Sequence, residues 1–414
     1  MVPKGWVATQ VGDIAKFSSG GTPSKQNANF WGGTKPWISG KDLKTHFIET
    51  SIDTLTDEGF QIAKRAPAGA SLILVRGMTL LKDFPVGFAI REVAFNQDLK
   101  ALVPNKNIDG LFLSFLLVSE KHKIKQLVST AGHGTGRLDT ESIKSYPINV
   151  PPLNEQKKIA QILLTWDKTI SVTEKFLANS QQQKKALMQQ LLTGKKRLLD
   201  DNGTRFSEIW GLYALSKLFQ RVTIKNNGKS TNVVTISGQH GLIKQEDFFK
   251  KTVASDTLDG YFLLKKGQFA YNKSYSNGYP MGAIKRLNRY PEGVVTTLYI
   301  CFELSTPKES FGDYWEHYFE SGLLNNSLSQ IAHEGGRAHG LLNVKPSDFF
   351  SLKVPVPGFE EQQKIAAVLS AADAEISTLE KKLTCLKDEK KALMQQLLTG
   401  KRRVKVEAEE AVSA

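Results

Sequence analysis

Polar and basic side chains stand beside glycines in several short turns, and these are the places where the chain could do chemistry. Arg, Lys, Asn and Gln side chains can hydrogen-bond base edges, and glycine lets a backbone approach a phosphate closely. The candidates in the first half are Thr22, Ser24, Lys25, Ser39, Lys41, His133 and Arg137. Those in the second half are Ser237, Gln239, His240, Asn272, Lys273, Ser274, Tyr275, Asn277, Arg337 and His339. Similar turns in two related halves predict a nucleic-acid interface.

Motifs for catalysis are missing from the sequence. It contains no Gly-x-x-x-x-Gly-Lys-Ser/Thr loop for a nucleotide. His133, His333 and His339 have no cysteine or second histidine at zinc-finger spacing. The run 149–152 is only superficially similar to the Asn-Pro-Pro-aromatic motif of amino-methyltransferases, because its asparagine is displaced and the aromatic residue is absent. The sequence therefore predicts no catalytic centre, metal site or cofactor in this chain.

The composition favours a polyanionic partner. The formal net charge is +14 and the pI is about 9.4, which is typical of nucleic-acid binding, although an ordinary basic enzyme remains an alternative. A length of 414 residues with 40% hydrophobic content predicts two or three domains. We expect a cytoplasmic protein without disulfides, since it has two distant cysteines, no membrane-length apolar run and no apolar leader.

Two copies of one long segment organise the chain. The letters KKALMQQLLTGK occur at Lys184–Lys195 and at Lys390–Lys401, with an offset of 390 − 184 = 206. EQKKIA at Glu155 and EQQKIA at Glu361 keep the same offset, 361 − 155 = 206. An unbroken offset over about forty residues, without internal proline or glycine, predicts a long helix used twice, each roughly 58 Å long.

Apolar residues recur along both segments at spacings of three and four, which predicts a coiled-coil seam. Its members are Leu163, Trp166, Ile170, Leu177, Leu187, Leu191, Leu369, Ile376, Leu379, Leu383, Leu386, Leu393 and Leu397. The obvious partner of each helix is the other copy, and the alternative is an amphipathic helix on its own domain. Ile159, Phe176 and Ile365 are expected on outer faces. Gly194 and Gly400 are expected to cap the helix ends.

The globular parts also repeat, but their offsets vary. Trp210 follows Trp6 by 204 residues, Ile236-Ser237-Gly238 follows Ile38-Ser39-Gly40 by 198, and Arg337 follows Arg137 by 200. Short strands are predicted at 71–75, 86–90 and 94–103, and a helix at 111–128. The two globular parts are therefore predicted to share a backbone fold and to differ in their loops.

Three runs together resemble the specificity subunits of type I restriction–modification enzymes. They are GGTPSKQNANFWGGTKPWISGKD at Gly20–Asp42, NKSYSNGYPMGAIKRL at Asn272–Leu287, and the Pro-Pro-Leu-x-Glu-Gln entry at Pro151–Gln156 before KKALMQQLLTGK. The second helix departs from the pattern, with Pro357-Gly358-Phe359 in place of Pro-Pro-Leu. The resemblance covers essentially the whole chain.

The resemblance implies a mixed α/β (α+β) protein with an internal pseudo-twofold repeat. Two target-recognition domains (1–153 and 200–358) would be joined by antiparallel spacer helices (154–199 and 359–405), with a charged tail at 406–414. Each domain would read half of a bipartite DNA site. Two methyltransferase subunits and two restriction subunits would bring S-adenosylmethionine, ATP and Mg²⁺. The chain itself would not be an enzyme.

Two alternatives stay open from the residues alone. One is a methyltransferase or nuclease with a fused recognition module, which would modify or cut DNA by itself. The other is a coiled-coil scaffold for partners other than DNA, whose binding would not weaken with salt.

Overall fold

Two structural units make up the chain in a computed structural model that describes residues 2–131, 134–249, 257–332 and 342–405. The first unit contains residues 1–174 and 381–414, and the second contains residues 175–380. Each combines short strands, short helices and parts of two 39-residue helices. The predicted mixed α/β class is confirmed.

The first unit begins with a strand-rich region. Its strands are β1 (Val7–Gln10), β2 (Ala15–Ser19), β3 (Trp31–Ile38), β4 (Phe47–Ile48), β5 (Thr54–Leu55), β6 (Arg65–Ala66), β7 (Ser71–Leu74), β8 (Arg76–Gly77), β9 (Val86–Ala89), β10 (Val93–Phe95), β11 (Leu99–Pro104), β12 (Ser129–Ala131), β13 (Thr135–Arg137) and β14 (Pro147–Val150). Its helices are α1 (Val11–Ile14), α2 (Asp57–Ile62), α3 (Gly110–Lys125), α4 (Thr140–Lys144) and the first part of α5 (Leu153–Leu191).

A five-stranded sheet, β2-β11-β7-β9-β4, forms the centre of this unit, and α3 packs against it. Asp109 caps α3 by accepting the N–H of Phe112 at 2.8 Å. The expected strand at 94–103 is wrong as a single element. Asn96 and Asp98 hydrogen-bond each other at 3.2 Å and turn the chain between β10 and β11.

The second unit repeats this plan with fewer strands. Its strands are β15 (Gly211–Ala214), β16 (Phe219–Arg221), β17 (Val234–Ser237), β18 (Gly241–Lys244), β19 (Phe262–Lys265), β20 (Phe269–Asn272), β21 (Ala283–Arg286), β22 (Glu292–Val295), β23 (Ile300–Leu304) and β24 (Lys353–Val356). Its helices are α6 (Leu215–Leu218), α7 (Gln245–Phe249), α8 (Gly312–Glu320), α9 (Asn325–Ile331), α10 (Pro346–Ser351), the second part of α5 and the first part of α11 (Phe359–Leu397). Strands β16-β23-β20-β21 form its main sheet.

The long helices run antiparallel inside each unit, because partner numbers on α11 fall as numbers on α5 rise. In the first unit Asp167 pairs with Lys390 at 2.6 Å and Glu174 with Lys387 at 2.7 Å. In the second unit Ser180 donates to Glu375 at 3.1 Å, and Lys184 pairs with Asp373. All the seam positions named above are buried or half-buried.

Both helices end in the same left-handed turn. Gly194 has φ +68° and Gly400 has φ +70°, so the predicted glycine caps are confirmed. Lys196 N–H donates to Gln190 O, and Arg402 N–H donates to Gln396 O, which satisfies end carbonyls.

An arginine–glutamate pair fixes each helix end within its unit. Arg197 binds both carboxylate oxygens of buried Glu361 at 2.6 and 2.7 Å. Arg403 binds Glu155 in the same way, at 2.7 Å for both bonds. Bidentate pairs of this kind are strong and directional, so they fix the helix ends firmly.

The expectation for two outer helix positions is wrong. Ile159 and Ile365 are 0% and 1% exposed, because each packs into the core of its own unit. Phe176 is 58% exposed, as expected. The seam and the globular domains therefore cover two faces of each helix.

Candidate nucleic-acid interface

The loop from Gly20 to Lys25 is held in place by two tryptophans. Trp31 Nε1 donates to Ser24 O, and Trp37 Nε1 donates to Gly21 O, both at 3.1 Å. The two indoles meet edge to face at 5.1 Å, and Lys25 Nζ lies 5.6 Å from the Trp31 ring centroid. Thr22, Ser24 and Lys25 are all exposed on this loop. The loop is therefore fixed by aromatic rings and still presents polar groups to solvent.

The turn after β3 separates two candidates that are close in sequence. Ser39 donates its N–H and its hydroxyl to Asp42 Oδ2, both at 2.8 Å, so its hydroxyl hydrogen is occupied by the turn. Lys41 is exposed at the edge of a shallow depression of about 470 Å³. Of these two, Lys41 is the one available to a ligand.

A polar turn at 96–98 connects the candidates of the first unit. Gln97 Oε1 accepts from Thr22 Oγ1 at 2.6 Å, and Asn96 N–H donates to Ile38 O at 2.9 Å. Asp98 O accepts from Val75 N–H at 2.9 Å. The exposed Gln97 was missed at the sequence level. The polar interruption Asn96-Gln97-Asp98 inside an apolar run was the signal for it.

Arg137 lies on a small three-stranded sheet, β12-β13-β8. Its partner across the ladder is Arg76, another exposed residue that sequence reasoning missed. Val75 O, just before Arg76, accepts the N–H of Leu138 at 2.9 Å. The backbone bonds of Val75 therefore connect Leu138, the residue after Arg137, to the turn at 96–98.

A tight hairpin presents two candidates of the second unit. Strands β17 and β18 pair up to Ser237 and Gly241, and Gly241 has φ +73°. Ser237 is 4% exposed and its hydroxyl accepts the N–H of His240 at 3.2 Å, so it supports the turn. Gln239 and His240 are exposed at the tip.

The loop after β20 presents most of the others. Asn272 Oδ1 accepts the N–H of Ser274 at 3.1 Å, while Tyr275 and Asn277 are exposed. Burial, and then the charge of Arg221, lowers the pKa of Lys273. Asn272 and Lys273 are half-buried and shape the loop, and Tyr275 is a platform on which a base could stack.

Tyr279 connects the hairpin tip to this loop and was also missed. Its hydroxyl lies 2.8 Å from Gly238 O and 2.5 Å from Glu320 Oε1, and it accepts from Lys285 Nζ at 2.8 Å. Burial, and then the hydrogen bond to Glu320, raises the pKa of Tyr279, so its hydroxyl stays protonated. A Cβ at Gly238 would lie 2.6 Å from the Tyr279 ring, which explains the glycine there.

Three candidates, His133, Arg337 and His339, lie outside the described residues. The first described residue after Arg337 and His339 is Leu342, whose N–H donates to Lys273 O at 2.8 Å. Leu138 N–H makes the equivalent bond to Val75 O in the first unit. The two halves thus share this connection.

The described residues hold no cluster of three or more His, Cys, Asp or Glu side chains suited to a metal ion. Among them there is also no helix with the length and apolarity to cross a membrane.

A groove of about 1780 Å³ lies in the first unit beside the start of α5 and the end of α11. Lys157, Lys158 and Arg402 give it positive charge, and Trp166 and Leu393 give it apolar surface. Trp and Arg are enriched at protein–protein interfaces, so Trp166 and Arg402 suit a protein partner.

A family model described as the type I restriction modification DNA specificity domain matches residues 3–179 and 217–387. These two segments cover more than half of the 414 residues. The chain belongs to this family. Its members are the non-catalytic DNA-recognition components of type I restriction–modification complexes, and the chain is a specificity subunit of that kind.

Relatives of this specificity subunit match it in part or along its length. The Escherichia coli EcoR124I/EcoR124II specificity subunit is 34% identical over 168 residues, which is 40% of this chain and 42% of that protein. The Methanocaldococcus jannaschii MjaVIII specificity subunit is 24% identical over 436 residues, covering 98% of this chain and 94% of that protein.

Two solved structures share the fold of this specificity subunit. The S subunit of a type I system from M. genitalium has a TM-score of 0.59 at 14% identity, covering 96% of this chain and 99% of that one. A chain from a study of complex assembly and conformational transition of the type I system has a TM-score of 0.55 at 15% identity, covering 97% and 100%.

Proposed function

We propose that residues 1–153 and 200–358 are two target-recognition domains, each reading one half of a bipartite DNA sequence. The observation that carries this proposal is that corresponding backbone bonds recur in both units while the exposed loop residues differ. Leu138–Val75 and Leu342–Lys273 are such a pair of bonds. A common frame with different loops suits two readers of different sequences. The net charge of +14 supports binding to the DNA backbone.

The long helices act as the spacer between the two half-sites. This role is supported by the offset of 206 residues, which relates the ion pairs of the two helices as well as their sequences. Two-fold DNA-binding proteins commonly present half-sites about one helical turn apart, roughly 34 Å. A helix of 39 residues is roughly 58 Å long, which is sufficient for such a separation.

The same helices dock methyltransferase subunits, two per specificity chain, and the complete cytoplasmic complex adds two restriction subunits. The groove that includes Trp166 and Lys158 supports docking at the first unit. S-adenosylmethionine, ATP and Mg²⁺ belong to these partners.

A binding titration of the complex with its methyltransferase subunits tests this function. A duplex carrying the methylated motif of the host genome serves as target, and duplexes with either half scrambled serve as controls. If six to ten phosphates are contacted, affinity should fall by about 10³–10⁵ between 50 and 200 mM salt. Scrambling either half should weaken binding. Equal affinity for all duplexes, or binding with little salt dependence, would contradict the proposal.

A further inference from the structure

Arg76 and Arg137 face each other on neighbouring antiparallel strands, β8 and β13. Residues paired in this way have Cα atoms roughly 4.5–5.5 Å apart, and their side chains leave the sheet on one face. Both arginines are exposed. Two positive charges are therefore held side by side by the backbone, not by flexible loops.

The face that carries these arginines is the open face of the small sheet. The next pair along the ladder is Gly77 and Gly136, which point to the opposite face. A Cβ on Gly136 would lie 2.8 Å from Leu80 Cβ and 3.2 Å from Val128 Cγ1, so that face is packed against the protein. The arginine face is left for a ligand.

Like charges placed directly opposite across a ladder are destabilising. Within the described part of the chain, no carboxylate lies at ion-pair distance from either guanidinium. Asp139 is near in sequence, but it accepts the N–H of Ser142 at 3.0 Å as the cap of α4. The backbone hydrogen bond from Ser142, and more weakly the charge of Arg137, lowers the pKa of Asp139, so the protein compensates the repulsion between the arginines only in part.

We infer that Arg76 and Arg137 together bind one phosphate of the DNA backbone. A base edge carries no formal charge and would leave the repulsion in place, whereas a phosphate removes it and accepts hydrogen bonds from both guanidinium groups. The inference rests on the proposed function and adds Arg76 to the binding surface.

Charge-neutral variants test the phosphate contact in the complex with methyltransferase subunits. Arg76→Gln, Arg137→Gln and the double variant are compared with Arg65→Gln, a control whose guanidinium already pairs with Glu92 at 3.4 Å. We expect each single variant to weaken target binding about tenfold. The double variant should lower the salt slope by about 0.9, the value for one phosphate, and not by twice that. Arg65→Gln should change neither quantity.

Hydrogen exchange without DNA tests the repulsion in the same variants. Either single substitution should slow exchange of the peptide covering residues 129–138 by about two- to fivefold, because one charge removed relieves the pair. The double variant should not slow exchange further than a single variant does. Arginines that merely support the sheet would give faster exchange in the variants.

Three results would overturn the inference. They are salt slopes equal to that of the wild type, faster exchange in the variants, and a relaxed preference at one base pair with an unchanged slope. If the wild-type complex itself bound without salt dependence, the proposed function would fail, and the exchange data would still report on the arginine pair.

Discussion

One ion pair between the long helices occurs twice, and its two copies meet different surroundings. Lys390 pairs with Asp167 in the first unit and Lys184 with Asp373 in the second, and both partners keep the offset of 206. Lys390 lies 5.2 Å from the centroid of the Phe115 ring. Asp373 instead lies 3.7 Å from the Nδ1 atom of His317. The two copies of the helices keep this ion pair, while the segments packed on them have diverged.

The helices α3 and α8 extend this comparison. Gln156 accepts the N–H of Asp109, and Gln362 accepts that of Phe311, both at 2.9 Å, which aligns α3 with α8 at 311 − 109 = 202. At that offset Leu111, Ser114 and Val118 correspond to Asp313, Glu316 and Glu320.

The two outer positions belong to an apolar interface in the first unit and to an ionic one in the second, while Ser114 lies 2.7 Å from Nε2 of His46. Leu111 and Val118 pack on the main core of the first unit. Asp313 and Glu320 pair with Arg286 and Lys285 beside a cavity of about 520 Å³. A shared backbone fold therefore tolerates apolar side chains in one unit and charged side chains in the other at corresponding positions.

The largest expected effect comes from removing the carboxylate of Glu361, whose ion pair with Arg197 recurs in the first unit as Glu155 with Arg403. Glu361→Ala leaves Arg197 without its carboxylate partner, which was 2% exposed, although Arg197 still donates to Glu208 O. It also removes the acceptor of Trp210 Nε1 at 2.9 Å. Removing one partner of a buried pair costs about 3–5 kcal/mol of unfolding free energy. Hydrogen exchange of peptides from the second unit measures this loss, because the method reports on each unit separately.

The matched variant Glu155→Ala in the first unit should cost less. Arg403 is 43% exposed against 19% for Arg197, so water can replace the lost carboxylate. Trp6 Nε1 has no hydrogen-bond partner among the described residues, so no second bond is lost. Equal losses of unfolding free energy in the two variants would show that the two arginine–glutamate pairs stabilise their units equally.

Acid should affect the first unit more than the second. Burial, and then the charge of Lys390, lowers the pKa of His46 to about 4. Below its unfolded pKa of about 6.5 only the unfolded chain takes up the proton, so stability falls as the pH drops towards 4. Between pH 7 and pH 5 the loss is about 2 kcal/mol, or about thirtyfold more opening.

His317 in the second unit provides the comparison for this pH effect. Burial lowers the pKa of His317 too, but Asp373 opposes that shift, so the second unit should lose less stability. Hydrogen exchange of peptides from α3 and α8 at pH 7 and pH 5 measures both units. His46→Gln should remove the pH dependence of the first unit. If that dependence persisted in His46→Gln, another group would be responsible.

The smallest effect is expected at Tyr279, which connects two loops in the second unit only. Tyr279→Phe removes a hydroxyl worth about 1 kcal/mol, so selectivity at one half-site should fall about fivefold. Tyr299→Phe is the control, because its hydroxyl lies 3.4 Å from Thr235 in strand β17, below the hairpin tip. Binding assays with single-base changes in each half-site measure selectivity. A loss at both half-sites, or an equal loss in the control, would contradict the role of Tyr279.

The sequence predicted the long helices well because their order is local. Heptad spacing, an unslipped offset and the terminal glycines Gly194 and Gly400 are all visible in the letters. It failed for Ile159 and Ile365, since a helix that packs on both a partner helix and a domain has two buried faces, and periodicity alone reveals only the seam.

The candidate interface was predicted less completely, because its geometry comes from long-range pairing. Arg76 meets Arg137 across a ladder that joins segments about sixty residues apart in sequence. Ser39 and Ser237 have the right chemistry for binding, yet their hydroxyls support turns. Residue type alone cannot distinguish these cases.

The methylated sequence motif provides the most direct test of two separate readers on one repeated frame. Residues 200–358 would be replaced by the equivalent region of a relative, the intact complex expressed in cells, and methylated sites mapped by long-read sequencing. We predict a new sequence in one half of the motif, with the other half and the spacer length unchanged. A change in both halves would show that residues 200–358 do not read one half of the motif independently.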